Sequence, residues 1–252
     1  MNNTIAIILF ISLLLNILFF LLGTLFIIKK GGFSYLSQKI FAISAKNNTD
    51  SKFFPPYYLH KISQFEILPK LNSDVIFLGD SITDECEWTE LMENPNIKNR
   101  GISGDTTERI LNRLDEIVES KPKQIFLMVG INDFINSGKS VQPTFGDYKK
   151  ILLAIQDRTP NTEVFIQSTL PVDNKYLNFS KINQKVLELN NCLQEIAKEL
   201  SFKYIDLFSH LSDSQNQLDA RYTLDGVHLN GQAYLVWKEV IEKYIASPSI
   251  RV

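Results

Sequence analysis

Ser81 stands in the run VIFLGDSITDE, residues 75–85, just after a short apolar stretch and a glycine. A serine at this point can cap the following helix, where its hydroxyl accepts a hydrogen bond from a backbone N–H. It can also be a nucleophile displayed on a strand-to-helix turn. Attack on a carbonyl needs a general base and an oxyanion hole elsewhere in the chain. The choice between the two roles therefore depends on distant residues.

The general base has to be sought among three histidines, His60, His210 and His228. His60 follows an aromatic connector and His210 ends a polar stretch, so both fit packing, surface or capping roles. His228 comes three residues after Asp225, separated from it by a glycine. A D-x-x-H turn can fold the carboxylate onto Nδ1–H and leave Nε2 free to face a serine hydroxyl. A purely structural His–Asp pair is the alternative.

Two glycine-containing loops offer candidate oxyanion donors. In GISGD, residues 101–105, Gly104 precedes a predicted helix, whose N-terminus exposes backbone N–H groups. In GIND, residues 130–133, Asn132 follows a predicted buried strand, and its side-chain amide can donate a hydrogen bond. Both also have ordinary explanations, since glycine loops often precede helices and an Asx turn can end a strand.

Strands and helices alternate from Leu71 onward. Apolar strands separated by helices predict a parallel sheet that is covered on both faces. Ligands bind such sheets beyond the carboxyl ends of the strands, so the fold gathers GDS, GISGD and GIND at one edge. The predicted strands are 74–79, 97–99, 124–130, 163–170 and 203–206, and the predicted helices are 83–93, 106–118, 148–157, 179–200 and 231–245.

Four motifs follow one another in order: GDS (79–81), GISGD (101–105), GIND (130–133) and DGVH (225–228). In this pattern the chain resembles the SGNH, or GDSL-type, esterases and lipases, over roughly residues 71–245. The runs TLPV and YTLDGVHLNGQAY resemble the lysophospholipase-like, platelet-activating-factor-acetylhydrolase-like branch. The first block reads GDSI instead of GDSL, which leaves the chemistry unaffected. The resemblance implies a three-layer α/β/α, flavodoxin-like fold around a parallel sheet of about five strands.

The resemblance also implies roles for individual residues. Ser81, Asp225 and His228 correspond to the catalytic triad, and Ser81, Gly104 and Asn132 correspond to the oxyanion hole. The expected reaction is hydrolysis of a small-molecule or lipid ester without a metal or other cofactor. The same triad can instead transfer the acyl group to an alcohol, and a non-catalytic anchored binding module is a further alternative.

The loops at 134–146 and 171–180 are expected to set the choice of acyl group. They carry four aromatic residues that could line an acyl pocket or pack in the core, namely Phe134, Phe145, Tyr176 and Phe179.

The segment DFINSGKS, residues 133–140, resembles a phosphate-binding loop and so raises nucleotide binding as an alternative function. Gly138, Lys139 and Ser140 match the end of the P-loop motif, but Asp133 stands where the first glycine belongs. A carboxylate there would repel phosphate, and Pro143 follows too soon for a long helix. Nucleotide binding is therefore disfavoured.

The overall composition excludes several classes of protein. The chain has 252 residues with 26 basic and 28 acidic side chains, and it shows no basic stripe that would indicate a nucleic-acid partner. Cys86 and Cys192 lie far apart and form no C-x-x-C pair. Neither a structural zinc site nor a disulfide framework is indicated. The oligomeric state is not indicated either.

Residues 5–28 form an uncharged run that is apolar on every face. Roughly 20 apolar residues cross a bilayer core, and a cleavable signal peptide would be shorter, with a basic start. The run predicts an uncleaved anchor over residues 1–30, followed by a connector over 31–70 and a hydrolase domain over 71–252. Basic residues follow the run and none precede it, so the positive-inside rule favours a cytoplasmic catalytic domain.

Overall fold

The computed structural model describes residues 3–29, 54–72, 74–175 and 180–245. The chain divides into two compact units, Met1–Phe54 and Pro55–Val252. The second unit therefore begins before the boundary at residue 71 that the sequence suggests. Of the predicted connector, residues 31–53 lie outside the described residues. So do Lys30, Lys39 and Lys46, three of the basic residues that follow the apolar run.

The first unit contains helix α1, Asn3–Lys29. Within the described part of the chain, no helix is both long enough and apolar enough to cross a membrane. The membrane span predicted over residues 5–28 is thus not supported by the structure.

The second unit alternates helices and strands, as the apolar pattern predicts. Its strands are β1 (Val75–Gly79), β2 (Ile97–Gly101), β3 (Gln124–Met128), β4 (Glu163–Gln167) and β5 (Lys203–Ile205). Its helices are α2 (Pro56–Ile67), α3 (Ser81–Asp84), α4 (Trp88–Leu91), α5 (Thr107–Asn112), α6 (Leu114–Val118), α7 (Ile131–Ile135), α8 (Val141–Arg158), α9 (Ser180–Glu199), α10 (Phe208–Leu211) and α11 (Gly231–Ile241), with a 3₁₀ turn over Glu242–Tyr244.

All five strands pair in parallel in the order β2-β1-β3-β4-β5. Gly79 at the end of β1 pairs with Gly101 of β2 and with Met128 of β3. The ends of these three strands are therefore level, and the segments that follow them emerge side by side. The three-layer architecture with a five-stranded parallel sheet is confirmed.

Two predicted helices are in fact interrupted. The predicted helix 83–93 is two short helices, α3 and α4, and the predicted helix 106–118 breaks at Arg113 into α5 and α6. Conversely, α8 begins at Val141 and includes Pro143, so the argument that this proline prevents a long helix is wrong. Pro143 lies in the first turn, where a backbone N–H has no intrahelical acceptor to lose.

Helix α2 packs through one face onto the rest of the second unit. Tyr58 and Phe65 are buried, and the guanidinium of Arg100 lies 4.6 Å from the centre of the Phe65 ring. The amino group of Lys61 lies 5.2 Å from the same ring. Helix α2 is therefore part of the folded domain.

A row of aromatic rings crosses one face of the sheet. Phe77, Phe126 and Phe165 occupy paired positions on β1, β3 and β4, and their centroids are 5.0 Å and 4.4 Å apart. Trp88 stacks on Phe77 at 4.4 Å and meets the ring of Trp237 of α11 at 4.8 Å. These ring contacts pack α4 and α11 against one face of the sheet and so fix the position of both helices.

Phe126→Ala should lower the free energy of unfolding by about 3–5 kcal/mol, because it opens a cavity in the middle of this row. Urea denaturation of wild type and variant measures the difference. Leu153→Ala, at a half-exposed position of α8, is the control and should change stability by about 0.5 kcal/mol or less. A loss below about 1 kcal/mol for Phe126→Ala would show that the row does not organise the core.

Candidate active site

Ser81 is the first residue of α3, and Asp80 caps that helix. The side chain of Asp80 accepts a hydrogen bond from the Ile82 N–H at 3.1 Å. The capping role considered for Ser81 therefore belongs to its neighbour, and the Ser81 hydroxyl is available for another contact. Gly79 permits the turn, since a Cβ there would lie 2.5 Å from the Met128 carbonyl oxygen.

The Ser81 hydroxyl contacts His228, which in turn contacts Asp225. Oγ of Ser81 lies 3.0 Å from Nε2 of His228, and Nδ1 of His228 lies 2.6 Å from Oδ2 of Asp225. The D-x-x-H turn thus folds as its spacing predicts. The two contacts join the loop after β1 to a loop near the C-terminus, 147 residues away along the chain.

Asp225 is held as a carboxylate by the turn itself. Partial burial pushes its pKa upward, but hydrogen bonds from the imidazole of His228 and from the backbone N–H groups of Val227 and His228 outweigh burial and lower the pKa to about 2. An ionised Asp225 can only accept, so Nδ1 of His228 must donate. In the neutral imidazole, Nε2 then carries the lone pair and accepts from the Ser81 hydroxyl.

The turn that holds Asp225 is anchored at both sides. The Gly226 N–H donates to Oγ1 of Thr223 at 2.9 Å, and the Gly226 carbonyl accepts from the Asp173 N–H at 2.8 Å. Gly226 has φ of +89°, a left-handed conformation that suits glycine. Its backbone is therefore fixed by the loop that follows β4.

Gly104 and Asn132 lie in neighbouring loops at the same sheet edge. The Ile102 N–H donates to the Gly79 carbonyl at 3.1 Å, which brings the start of the Gly104 loop beside the end of β1. Nδ2 of Asn132 donates to the Asp105 carbonyl at 3.0 Å, and Oδ1 of Asn132 accepts from Asn136. These bonds fix which end of the Asn132 amide is which, so Nδ2 is the end beside the Gly104 loop.

The N–H groups of Ser81 and Gly104 complete the set of candidate donors. Ser81 is the first residue of its helix, where a backbone N–H has no intrahelical acceptor. Gly104, at φ of +82°, lies in a turn closed by a hydrogen bond from the Asp105 N–H to the Ile102 carbonyl. Neither N–H donates a hydrogen bond to any of the residues that the structure describes. Both can therefore receive a developing negative charge.

Comparison with known proteins decides the family. The model of the GDSL-like lipase/acylhydrolase family matches residues 77–236. The chain belongs to this family. It is accordingly an acylhydrolase of the GDSL type.

Individual relatives agree with this assignment. The chain is 29% identical to the platelet-activating factor acetylhydrolase IB subunit alpha2 of Rattus norvegicus, over 64% of this chain and 71% of the relative. A structure of a proposed platelet activating factor from Streptococcus pneumonia superposes with a TM-score of 0.69 at 25% identity, covering 83% of this chain and 98% of that one. A GDSL-like lipase from Bacteroides thetaiotaomicron shares the fold, with a TM-score of 0.66 at 22% identity over 74% and 96% of the two chains.

This GDSL-type site also contains one residue, Glu85, that the sequence motifs did not indicate. Oε1 of Glu85 lies 3.7 Å from Nε2 of His228, so a second carboxylate faces the histidine from the opposite side to Asp225. Glu85 comes four residues after Ser81, one helical turn away, and that spacing is the only sequence signal for it. Its carboxylate is half-exposed and lines the approach to the histidine.

The P-loop-like segment has a different role in this fold. Nζ of Lys139 lies 3.1 Å from Asp133 and 3.2 Å from Asp147, so its charge is matched by carboxylates. Asp133 also accepts from the N–H and the hydroxyl of Thr107. Asp133 therefore fixes the start of α5 behind the Gly104 loop. Among the described residues, no group of three or more His, Cys, Asp or Glu side chains could hold a metal ion.

A shallow cleft of about 240 Å³ adjoins the histidine and is lined by Glu85, Leu224, Asp225, His228, Leu229 and Asn230. Leu224 is 82% exposed and offers an apolar contact at its rim. Two of the aromatic residues considered for an acyl pocket, Phe134 and Phe145, do not line it. Phe134 is buried in the core and Phe145 packs against the core, while Tyr176 and Phe179 lie outside the described residues. His60 and His210 do not contact Ser81.

The titration of Asp225 tests this geometry directly. Because its pKa is depressed, the carboxylate contributes to stability above the ordinary pKa of an aspartate, and the contribution is lost as the pH falls through about 2. Carbon-13 NMR should show a midpoint near pH 2 for Asp225. The midpoint should rise in His228→Ala, which removes the imidazole bond, and stay unchanged in His210→Ala. An unchanged midpoint in His228→Ala would contradict the 2.6 Å contact.

Proposed function

We propose that this GDSL-type acylhydrolase is a serine esterase that works through an acyl-enzyme on Ser81, with His228 as general base and Asp225 as its partner. The observation that carries the proposal is the continuous chain of contacts from Asp225 through His228 to Ser81, at 2.6 Å and 3.0 Å. The tautomer that an ionised Asp225 imposes is the one that a base acting on a serine requires.

Acylation begins when Oγ of Ser81 attacks the ester carbonyl carbon and passes its proton to Nε2 of His228. The imidazolium that forms is stabilised by Asp225. The carbonyl oxygen becomes an oxyanion, which accepts from the N–H groups of Ser81 and Gly104 and from Nδ2 of Asn132. The imidazolium then protonates the departing alkoxide, and the alcohol leaves.

Deacylation repeats these steps with water as the nucleophile. His228 takes a proton from the water that attacks the acyl carbon, and returns it to Oγ of Ser81 as the acid leaves. No step needs a group beyond those supplied by the protein and water. Each oxyanion donor is worth about 3 kcal/mol of transition-state stabilisation.

We further propose lipid-like acyl esters or O-acetyl groups as the substrate class. A relative at 29% identity is named as an acetylhydrolase. The cleft beside His228 is small, at about 240 Å³, and has one exposed apolar side chain, Leu224, at its rim. Leu224 offers an apolar contact to a substrate that approaches His228.

Ser81→Ala and His228→Ala should each lower kcat for p-nitrophenyl acetate by roughly 10⁴-fold or more, since the triad acts as a unit. Stopped or continuous release of p-nitrophenol measures the rate. Ser209→Ala and His210→Ala, at exposed positions, are matched controls and should retain wild-type activity. Full activity in Ser81→Ala would refute the proposed nucleophile.

We also propose that residues 5–28 anchor the enzyme in a membrane, with the catalytic domain on the cytoplasmic side. The support is the sequence alone: an uncharged run long enough for a bilayer core, with basic residues after it and none before it. The anchor would keep the esterase close to lipid substrates.

The full chain should therefore sediment with membranes after carbonate washing, whereas the chain without residues 1–30 should stay in the supernatant. Protease added to intact spheroplasts should leave the catalytic domain undigested, because a cytoplasmic domain is shielded by the membrane. Recovery of the full chain in the supernatant would contradict the anchor, and digestion from outside would contradict its orientation.

A further inference from the structure

We propose that α2, which precedes the sheet and lies outside all four sequence motifs, positions the oxyanion donor of Gly104. Two sets of contacts run from α2 to the Gly104 loop, one through Asp84 and one through Arg109. The inference deepens the proposed function and rests on it, because it takes the Gly104 N–H as a donor to the oxyanion.

The first set of contacts meets at Asp84, the last residue of the helix that begins with Ser81. Nζ of Lys61 donates to Oδ1 of Asp84 at 2.7 Å, and the Tyr57 hydroxyl donates to Oδ2 at 2.7 Å. Oδ2 also accepts from the N–H and the hydroxyl of Ser103, at 3.0 Å and 3.1 Å. A single buried carboxylate thus joins α2 to the residue before Gly104.

Asp84 is well suited to hold these partners. Its side chain is 5% exposed, while Lys61 keeps its ammonium partly in solvent. Burial pushes the pKa of Asp84 upward, but the hydrogen bonds from Lys61, Tyr57 and Ser103 outweigh burial and lower it. The group is therefore a carboxylate at neutral pH, able to accept all of these bonds at once.

The second set of contacts runs through Arg109. The buried Tyr58 donates its hydroxyl to the Arg109 carbonyl at 2.9 Å. Nη1 of Arg109 donates to the Gly104 carbonyl at 2.8 Å. Helix α2 thus fixes the backbone of the residue whose guanidinium holds the far side of Gly104.

These contacts bracket the peptide that carries the donor. The Gly104 N–H belongs to the peptide between Ser103 and Gly104. The peptide before it is held by Asp84 through the Ser103 N–H, and the peptide after it is held by Arg109 through the Gly104 carbonyl. Glycine at φ of +82° can adopt many other conformations. The two anchors therefore keep the intervening N–H pointing in one direction.

The consequence is kinetic. A donor that serves only the oxyanion contributes to the transition state and not to substrate binding, so its misplacement lowers kcat and leaves KM nearly unchanged. Asp84 and Arg109 contact the loop directly, whereas Lys61 and Tyr57 act on it through Asp84. All four are therefore positioning residues in this scheme.

The test compares variants of the full chain in steady-state hydrolysis of p-nitrophenyl acetate. Asp84→Asn should lower kcat by roughly 10²-fold, close to the effect of losing an oxyanion donor. Lys61→Met and Tyr57→Phe each remove one support, and together they should lower kcat by about tenfold, with KM changed by less than about twofold. Lys61→Arg keeps the positive charge that Lys61→Met removes, so it should retain at least half of the wild-type activity.

Lys70→Met is the matched control, because Lys70 follows α2 and, within the described ranges, forms an ion pair only with the exposed Glu119. It should leave kcat unchanged. Affinity for a trifluoromethyl ketone, which forms an oxyanion on Ser81, should fall in parallel with kcat in the Asp84 and Lys61 variants. Melting temperatures are measured beside the kinetics, so that every rate refers to folded protein.

The outcomes separate the two proposals. If Ser81→Ala is inactive while Asp84→Asn and the Lys61→Met, Tyr57→Phe pair keep wild-type kcat, the positioning role of α2 is refuted and the proposed function stands. A rise of KM in these variants with no change in kcat would also refute the positioning role of α2. Full activity in Ser81→Ala would instead refute the proposed function itself.

Discussion

The active-site edge depends on one buried guanidinium, that of Arg113. Its Nη2 donates to the carbonyl of Arg100 at 2.8 Å and to that of Gly79 at 3.3 Å, while its Nε donates to the Asp105 carboxylate at 2.8 Å. Gly79 precedes the Ser81 turn and Asp105 follows Gly104. The planar guanidinium therefore holds the ends of β1 and β2 and the far end of the Gly104 loop in a fixed arrangement.

Burying the Arg113–Asp105 ion pair costs free energy, so its role is to fix the positions of the backbone segments that it joins. Arg113 and Asp105 are almost fully buried, and moving such charges out of water costs several kcal/mol per ion. Nη1 of Arg113 and Oδ1 of Asp105 have no hydrogen-bond partner among the described residues. The pair is thus a poor source of stability, but it spans three backbone segments that hydrophobic packing alone would leave free to shift. Asn132 extends the same scaffold by binding the Asp105 carbonyl.

Much of the fold and of the candidate site could be predicted from the sequence, because the features concerned depend on residues that are close together in the chain. Buried parallel strands appear as continuous apolar runs, so all five strands were found within a few residues of their bounds. The D-x-x-H turn is also local, and Asp225 bonds to His228 as the spacing predicts. The placement of GDS, GISGD and GIND at one edge follows from parallel strands that end level with one another.

The rest depends on long-range contacts that leave little trace in a sequence. Arg113 looks like a solvent-facing position of an amphipathic helix, yet its contacts with β1 and β2 bury it and the helix breaks there. Helix α2 looks like a connector, because its partners, Asp84 and Arg109, lie 23 and 51 residues further along the chain. Nothing in the sequence near Glu85 indicates a role beyond that of a surface acid, because His228, whose Nε2 lies 3.7 Å from its carboxylate, is distant in the chain.

The central claim is that Ser81 is a nucleophile made reactive by His228. Labelling of the full chain with a fluorophosphonate, followed by peptide mass spectrometry, tests it most directly. The account predicts one adduct, on the peptide that contains Ser81, with labelling abolished in His228→Ala and unchanged in His210→Ala. Labelling at another serine, or equal labelling of Ser81 without His228, would contradict it.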